Sequence, residues 1–232
     1  MIDRSQGPPP PTSLDELSLR AARLGGRSLS WLAGELGLTV PPDLRRHKGW
    51  VGQLMEIALG ADGASLDGPD FAALGVELKT LPVSSTGDPS ESTWVCTAAM
   101  DGSIAAKWSE SRVARKLDCV LWVPVVGGRE MDLGERRIGS PILWRADPEE
   151  LQTLRGDWSE LSEMIRMGDL ERLDARLGTA LQIRPKAASS LETVWALDRD
   201  GSWVETNPRG FYLRRSFTRA ILQRHLGRET GS

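Results

Sequence analysis

The segment DFAALGVELKTLPV, Asp70 to Val83, is where the hydrophobic period of the chain changes from helical to extended. Val76, Leu78 and Thr80 alternate with Glu77, Lys79 and Leu81, which predicts a strand over 76–83. On a strand, residues two apart share a face. Glu77 and Lys79 therefore project together while Leu78 points to the core, and Asp70, on the preceding loop, can return to meet them. Two carboxylates at close range need a divalent cation to offset their repulsion, and a hard ion such as Mg²⁺ prefers oxygen ligands and keeps some of its waters. An ammonium beside them can orient or deprotonate an attacking water and stabilise the charge of a pentavalent phosphorane. The pattern is that of a hydrolytic site. A Glu-x-Lys triplet alone occurs roughly once by chance in a chain of this length, and the same residues would also suit an exposed ion pair on a strand edge.

Outward from this strand, the N-terminal side reads as helical. Residues 1–12, with Pro8 to Pro11 in a row, form an expected disordered or polyproline leader. Ser13 to Glu16 has the form of a capping box, and the helix it opens ends at Gly25-Gly26. A second helix is expected near Ser28, with Leu29, Leu32 and Leu36 on one face. A third follows Lys48-Gly49, with Trp50, Leu54, Ile57 and Ala58 on its apolar side and Glu56 on or beside that side. On the C-terminal side, strands are expected at Thr93–Met100, Cys119–Val125, Ile142–Trp144, Leu181–Arg184 and Gly210–Arg214. Helices are expected at Ser109–Leu117, from the Asp147-Pro148 start to Met167, at Asp169–Leu177 and at Thr218–Leu226. Strands and helices mixed along one continuous chain imply an α/β domain, a mixed β-sheet core flanked by helices.

Composition narrows the classes of function. The chain has 232 residues, 40% hydrophobic and 26% charged, with a net charge of -3, as expected of a soluble globular protein of one or two domains. Its two cysteines, Cys96 and Cys119, exclude a disulfide scaffold or zinc ribbon and suit a reducing cytoplasm. The longest apolar run, Cys119 to Val126, is interrupted by Pro124, so no membrane span is expected. The charge is uneven: Arg209, Arg214, Arg215, Arg219, Arg224 and Arg228 face a single acid, Glu229, near the C-terminus. Arg45, Arg46 and Lys48 form a second basic cluster, and Arg112, Arg115 and Lys116 a third. Only five of the 29 basic residues are lysines, at 48, 79, 107, 116 and 186. A position kept as Lys in an Arg-rich chain is a candidate for chemistry that needs a compact ammonium. Tyr212 is the only tyrosine. His47 and His225 lie far apart among arginines, and no phosphate-binding loop, dinucleotide fingerprint or nucleophile elbow occurs.

Several blocks in order carry a resemblance: Lys48-Gly49-Trp50, Glu56, DFAALGVELKT at 70–80, Gly139-Ser140-Pro141, QIRPKAA at 182–188 and PRGFYL at 208–213. Together, from about Ser13 to Leu226, they resemble the MutH family, the strand-nicking endonucleases of methyl-directed mismatch repair within the PD-(D/E)xK nucleases. The resemblance implies a single two-lobed, restriction-endonuclease-like domain over 13–232 with DNA in its cleft. It implies that Asp70 and Glu77 hold Mg²⁺, that Lys79 addresses the water, that Glu56 supports the metal site and that Lys116 is a further active-site cation. Lys48, Gly49 and Glu91 match positions near the DNA, Arg184, Pro185 and Lys186 match the segment that reads GATC, and Tyr212 matches the group that senses adenine methylation. Trp94 stands where the family pattern has Phe, at a position implied to wedge against the bases; either ring can stack.

The expected function is a Mg²⁺-dependent endonuclease that nicks the unmethylated strand at hemimethylated GATC in double-stranded DNA. The resemblance implies activation by MutL, and through it MutS, and a cytoplasmic monomer with no membrane association. A GATC-specific restriction endonuclease and a non-catalytic GATC-binding module are the alternatives.

Overall fold

A computed structural model describes residues 7–43, 47, 49–63, 67–128, 130–186 and 192–229, with side chains as far as His225. The chain forms two compact units. The first comprises residues 1–90, 118–145 and 222–232, the second 91–117 and 146–221. Both are α/β, and among the described residues no helix is long and apolar enough to cross a membrane.

The first unit is built around β1 (Glu77–Val83), which pairs in parallel with β3 (Val120–Val126). β4 (Arg137–Ile138) and β5 (Ile142–Trp144) pair antiparallel with the other edge of β3. β3 is central and almost wholly buried, which explains why its sequence is a continuous apolar run. Pro124 is tolerated inside it because β4 ends opposite Val125 and β5 begins opposite Trp122, so the missing N–H falls in the gap. The Pro124 carbonyl there accepts from Gly139 N–H at 2.8 Å.

Helices α1 (Leu14–Leu24), α2 (Leu29–Glu35) and α3 (Trp50–Leu59) share one core with this sheet, formed by Leu17, Leu29, Leu54, Met55, Leu121 and Val123 among others. Ser13 caps α1 by accepting from Glu16 N–H. The Glu16 carboxylate, expected to return to Ser13, reaches Thr12 and Arg20 instead, and the Thr12 hydrogen bonds hold it well below the usual carboxylate range, at about 2.

Where the expected disordered or polyproline leader is described, from Gly7 onward, the proline run lies against the first unit. Pro11 is buried, and the Pro9 carbonyl accepts from Arg20 Nη1 at 2.6 Å, the same nitrogen that lies 3.3 Å from the Leu59 carbonyl. Polyproline backbone has no internal hydrogen bonds, so its carbonyls are free to take an arginine offered from a neighbouring helix. The strap lies so close that a Cβ on Gly60 would sit 2.7 Å from the Pro9 oxygen and 2.8 Å from that of Pro8, at a φ of +75°. Gly60→Ala is expected to lower the unfolding free energy by about 2–4 kcal/mol, seen as a lower urea midpoint.

In the second unit β9 (Arg209–Leu213) runs between β2 (Thr93–Thr97) and β6 (Leu181–Pro185), antiparallel to both. β7 (Val194–Leu197) and β8 (Trp203–Thr206) form a separate hairpin. α4 (Arg112–Leu117) packs on β2, preceded by a short 3₁₀ turn at Trp108–Glu110, so the helix expected from Ser109 is divided. α5 (Pro148–Arg166) starts as expected, with Asp147 and Glu150 forming a capping box, and packs on β6. α6 (Arg215–Glu229) belongs to this unit through Ile221.

The helix expected over Asp169–Leu177 does not form; the segment is a series of turns. Its carbonyls are taken by arginines far along the chain. Arg209 donates to Leu170 and Leu173, and Arg214 donates to Ala175, Leu177 and Gly178. Side-chain donors thus replace the helical ladder. The same contacts withdraw two cations from the basic cluster counted near the C-terminus. Immediately after these turns, Asp157 of α5 accepts the backbone N–H groups of Thr179, Ala180 and Leu181 at 2.8, 2.6 and 2.7 Å, and so fixes where β6 begins.

Candidate active site and nucleic-acid interface

The 70–83 segment folds back on itself locally. Phe71 and Val76 exchange backbone hydrogen bonds, and this small loop returns Asp70 to β1, where its Oδ2 accepts the Leu78 N–H at 2.8 Å. Glu77 and Lys79 share a face, with Lys79 Nζ 2.7 Å from Glu77 Oε1. Leu78 joins the helix-side core. Glu77 is only 2% exposed, so its charge depends on cations and donors supplied by the protein or by a ligand. α3 packs on β1 and carries Glu56, which is half-buried, in this unit; Gly49 caps the start of the same helix. Lys48 lies outside the described residues.

Asp70 and Glu77 supply only oxygen donors, a set that suits a hard ion and not a thiolate- or imidazole-seeking one. Among the described residues no group of three or more His, Cys, Asp or Glu side chains is arranged to hold a metal. Two carboxylates are nonetheless enough for Mg²⁺, which keeps several waters and commonly takes one or two protein carboxylates together with substrate phosphate.

The other candidates belong to the second unit. Lys116 is buried on α4, 6% exposed. Trp94 on β2, Gln182 and Arg184 on β6, and Gly210 and Tyr212 on β9 share one face of the three-stranded sheet. The register sets Trp94 opposite Tyr212, Gln182 opposite Tyr212 and Arg184 opposite Gly210. The other face carries Ile183, Phe211 and Leu213, all buried, so the sheet turns one side to the core and a more polar side away from it. Arg184 and Pro185 are exposed, as is Lys186 just beyond the strand, and Arg184 lies over the Tyr212 ring at 5.8 Å. Burial pushes the Tyr212 hydroxyl above its ordinary value; the Arg184 cation opposes this and the Glu91 carboxylate adds to it. The phenol is therefore a neutral donor at physiological pH.

Sequence reasoning gave no role to Thr97, whose hydroxyl accepts from Lys186 Nζ at 2.9 Å, or to Gly210, where a Cβ would meet the Trp94 indole. A glycine inside a strand, two residues before a singled-out tyrosine, was the available signal, since such glycines mark close approach. Among the described residues Lys107 makes an exposed pair with Glu110 at 3.7 Å.

The family model described as DNA mismatch repair enzyme MutH matches residues 59–157. The chain is 52% identical, over 218 residues, to the DNA mismatch repair protein MutH of Shewanella baltica strain OS155, which covers 94% of this chain and 98% of that protein. It is 49% identical over the same shares to the proteins of that name from Shewanella sp. strain MR-7 and Shewanella putrefaciens.

Proposed function

Because the chain belongs to the MutH family of DNA mismatch repair enzymes, we propose that it is a metal-dependent endonuclease that nicks the unmethylated strand at hemimethylated GATC sites, with MutL as its activator. The observation that carries this reading is the set made by one strand and its preceding loop: Asp70 folded onto β1, and the buried Glu77 paired with Lys79 at 2.7 Å. Asp70 and Glu77 would hold Mg²⁺, which when bound supplies a Lewis acid at a phosphodiester oxygen. The Lys79 ammonium donates to the oxygen of an incoming water, leaving a lone pair directed at phosphorus. The same charge offsets the negative charge that grows on the phosphoryl oxygens as one P–O bond forms and another breaks. Glu56 on α3 supports the carboxylate pair. One such set per chain favours a nick over a double-strand cut.

Recognition falls to the polar sheet face. Arg184 and Lys186 present cationic donors suited to base edges and phosphates in a major groove. A methyl on adenine N6 removes a donor hydrogen and adds bulk, so the neutral Tyr212, with Arg184 over its ring, suits a contact that a methyl group disrupts. Supercoiled plasmid with a single GATC site, prepared unmethylated, hemimethylated and fully methylated, tests the proposal with Mg²⁺ and with or without MutL. Nicks confined to unmethylated strands and stimulated by MutL are expected. Prompt linearisation without MutL would mark a restriction enzyme, and no cleavage in any form would leave a binding module.

A further inference from the structure

Two cations lie over two rings on the polar face of the β2–β9–β6 sheet, and the two pairs are built differently. Arg184 rests over Tyr212 on the neighbouring strand, at 5.8 Å. Lys186, just past the end of β6, places Nζ 5.1 Å from the centroid of Trp94, on the far strand of the sheet. What lies between them is Gly210. A Cβ there would come within 3.1 Å of Trp94 Nε1, 3.4 Å of Trp94 Cδ1 and 3.1 Å of the Cys96 carbonyl oxygen. The irregularity in β2 between Trp94 and Cys96 and the bare backbone at 210 thus make a seat for the indole. Lys186 is fixed at both ends: its backbone N–H donates to the Pro208 carbonyl at 2.8 Å, and its ammonium donates to Thr97 Oγ1 at 2.9 Å.

We propose that Trp94 is a positioning residue for Lys186: the indole seated over Gly210 and the Thr97 hydroxyl hold the ammonium in one place, and duplex recognition depends on these residues as a unit. The inference rests on the reading of this sheet face as the DNA-facing surface. An ammonium has three donors on a flexible four-carbon stem. With one donor on Thr97 and the charge satisfied by the ring face, the remainder are aimed at an acceptor on the duplex without a further ordering cost at binding. Trp94 then contributes to affinity through Lys186 rather than as an independent stacking wedge.

A double-mutant cycle on the full-length protein separates the two roles. Binding of a fluorescent GATC duplex is followed by anisotropy without divalent cation, so that nothing is cleaved, and each variant is first checked for the parent's melting transition. Trp94→Ala is expected to weaken binding by about tenfold. Adding it to Lys186→Met should cost no more than about a further twofold, since the partner it positions is already gone. Trp94→Phe, which keeps a ring face, should recover most of the loss. Gly210→Ala leaves both partners in place while crowding the indole and the Cys96 carbonyl; provided its melting transition matches the parent's, it should weaken binding in the parent and have no effect in Lys186→Met. Losses that multiply in the Trp94→Ala, Lys186→Met double variant would overturn the inference and leave the DNA-facing assignment standing. Undiminished binding by Lys186→Met alone would overturn both.

Discussion

Lys79→Ala is expected to reduce strand nicking by about 10³-fold or more while binding of the same duplex without divalent cation stays within about threefold of the parent. The expectation follows from the place of Lys79 on β1. Its ammonium sits 2.7 Å from Glu77 and projects from the same face of the strand, so under the proposed function it belongs to the reacting group and not to the surface that reads the duplex. Nicking of supercoiled plasmid and anisotropy on a short duplex measure the two quantities separately. Lys79→Met, which keeps most of the aliphatic stem, should behave like the alanine variant, because it is the charge that is lost. A variant that loses nicking and binding together, with a lowered melting temperature, would instead show that the buried Glu77 requires Lys79 for folding. Nicking retained at the parental rate would remove Lys79 from the chemistry.

The second large effect is on stability. Asp157→Ala is expected to lower the unfolding free energy by about 3–5 kcal/mol, a large share of what a domain possesses. Asp157 is 8% exposed, and its carboxylate alone accepts three consecutive backbone N–H groups, two of them from the fully buried residues Ala180 and Leu181. Those donors sit where the arginine-capped turns end and β6 begins. Gly178 is packed so tightly there that a Cβ would meet the Leu181 carbonyl and lie 3.2 Å from the Asp157 carboxyl carbon. Removing the carboxylate strands the donors in the interior, and Asp157→Asn should recover only part of the loss because its amide nitrogen cannot accept. Urea denaturation gives the size of the effect. A change below about 1 kcal/mol would mean that the segment finds other acceptors. Because β6 leads directly to Arg184 and Lys186, the variant should also weaken duplex binding at temperatures where it remains folded.

The two predictions draw on different kinds of information. Lys79 was legible in the sequence, since the alternation that makes 76–83 a strand also fixes which side chains share a face, and the return of Asp70 needs only a short loop. The start of α5 at Asp147-Pro148, the strand Ile142–Trp144 and the apolar run of β3 were legible for the same reason: capping, pleat and burial on both faces leave local marks. Asp157 left none. It reads as one more polar residue on an amphipathic helix, and its three partners lie 22 to 24 residues away.

By itself, then, the sequence determined the α/β class, the capped helices, the strand that bears Glu77 and Lys79 with Asp70 on the loop before it, and the family to which those residues belong. The tertiary structure decided the rest. It turned 169–177 from an expected helix into turns, because guanidinium groups from β9 and the residue after it occupy the carbonyls a helix would have used. It drew Pro8 to Pro11 onto α1 and α3 through Arg20, and it paired β4, β7 and β8, where no strand was expected. It also set Lys186 over Trp94 with Thr97 and Gly210 beside them, residues brought from β2, β9 and the end of β6 across long stretches of intervening chain. Periodicity reports which face of an element is buried; it carries no information about which distant donor, ring or missing Cβ will stand opposite once strands are in register.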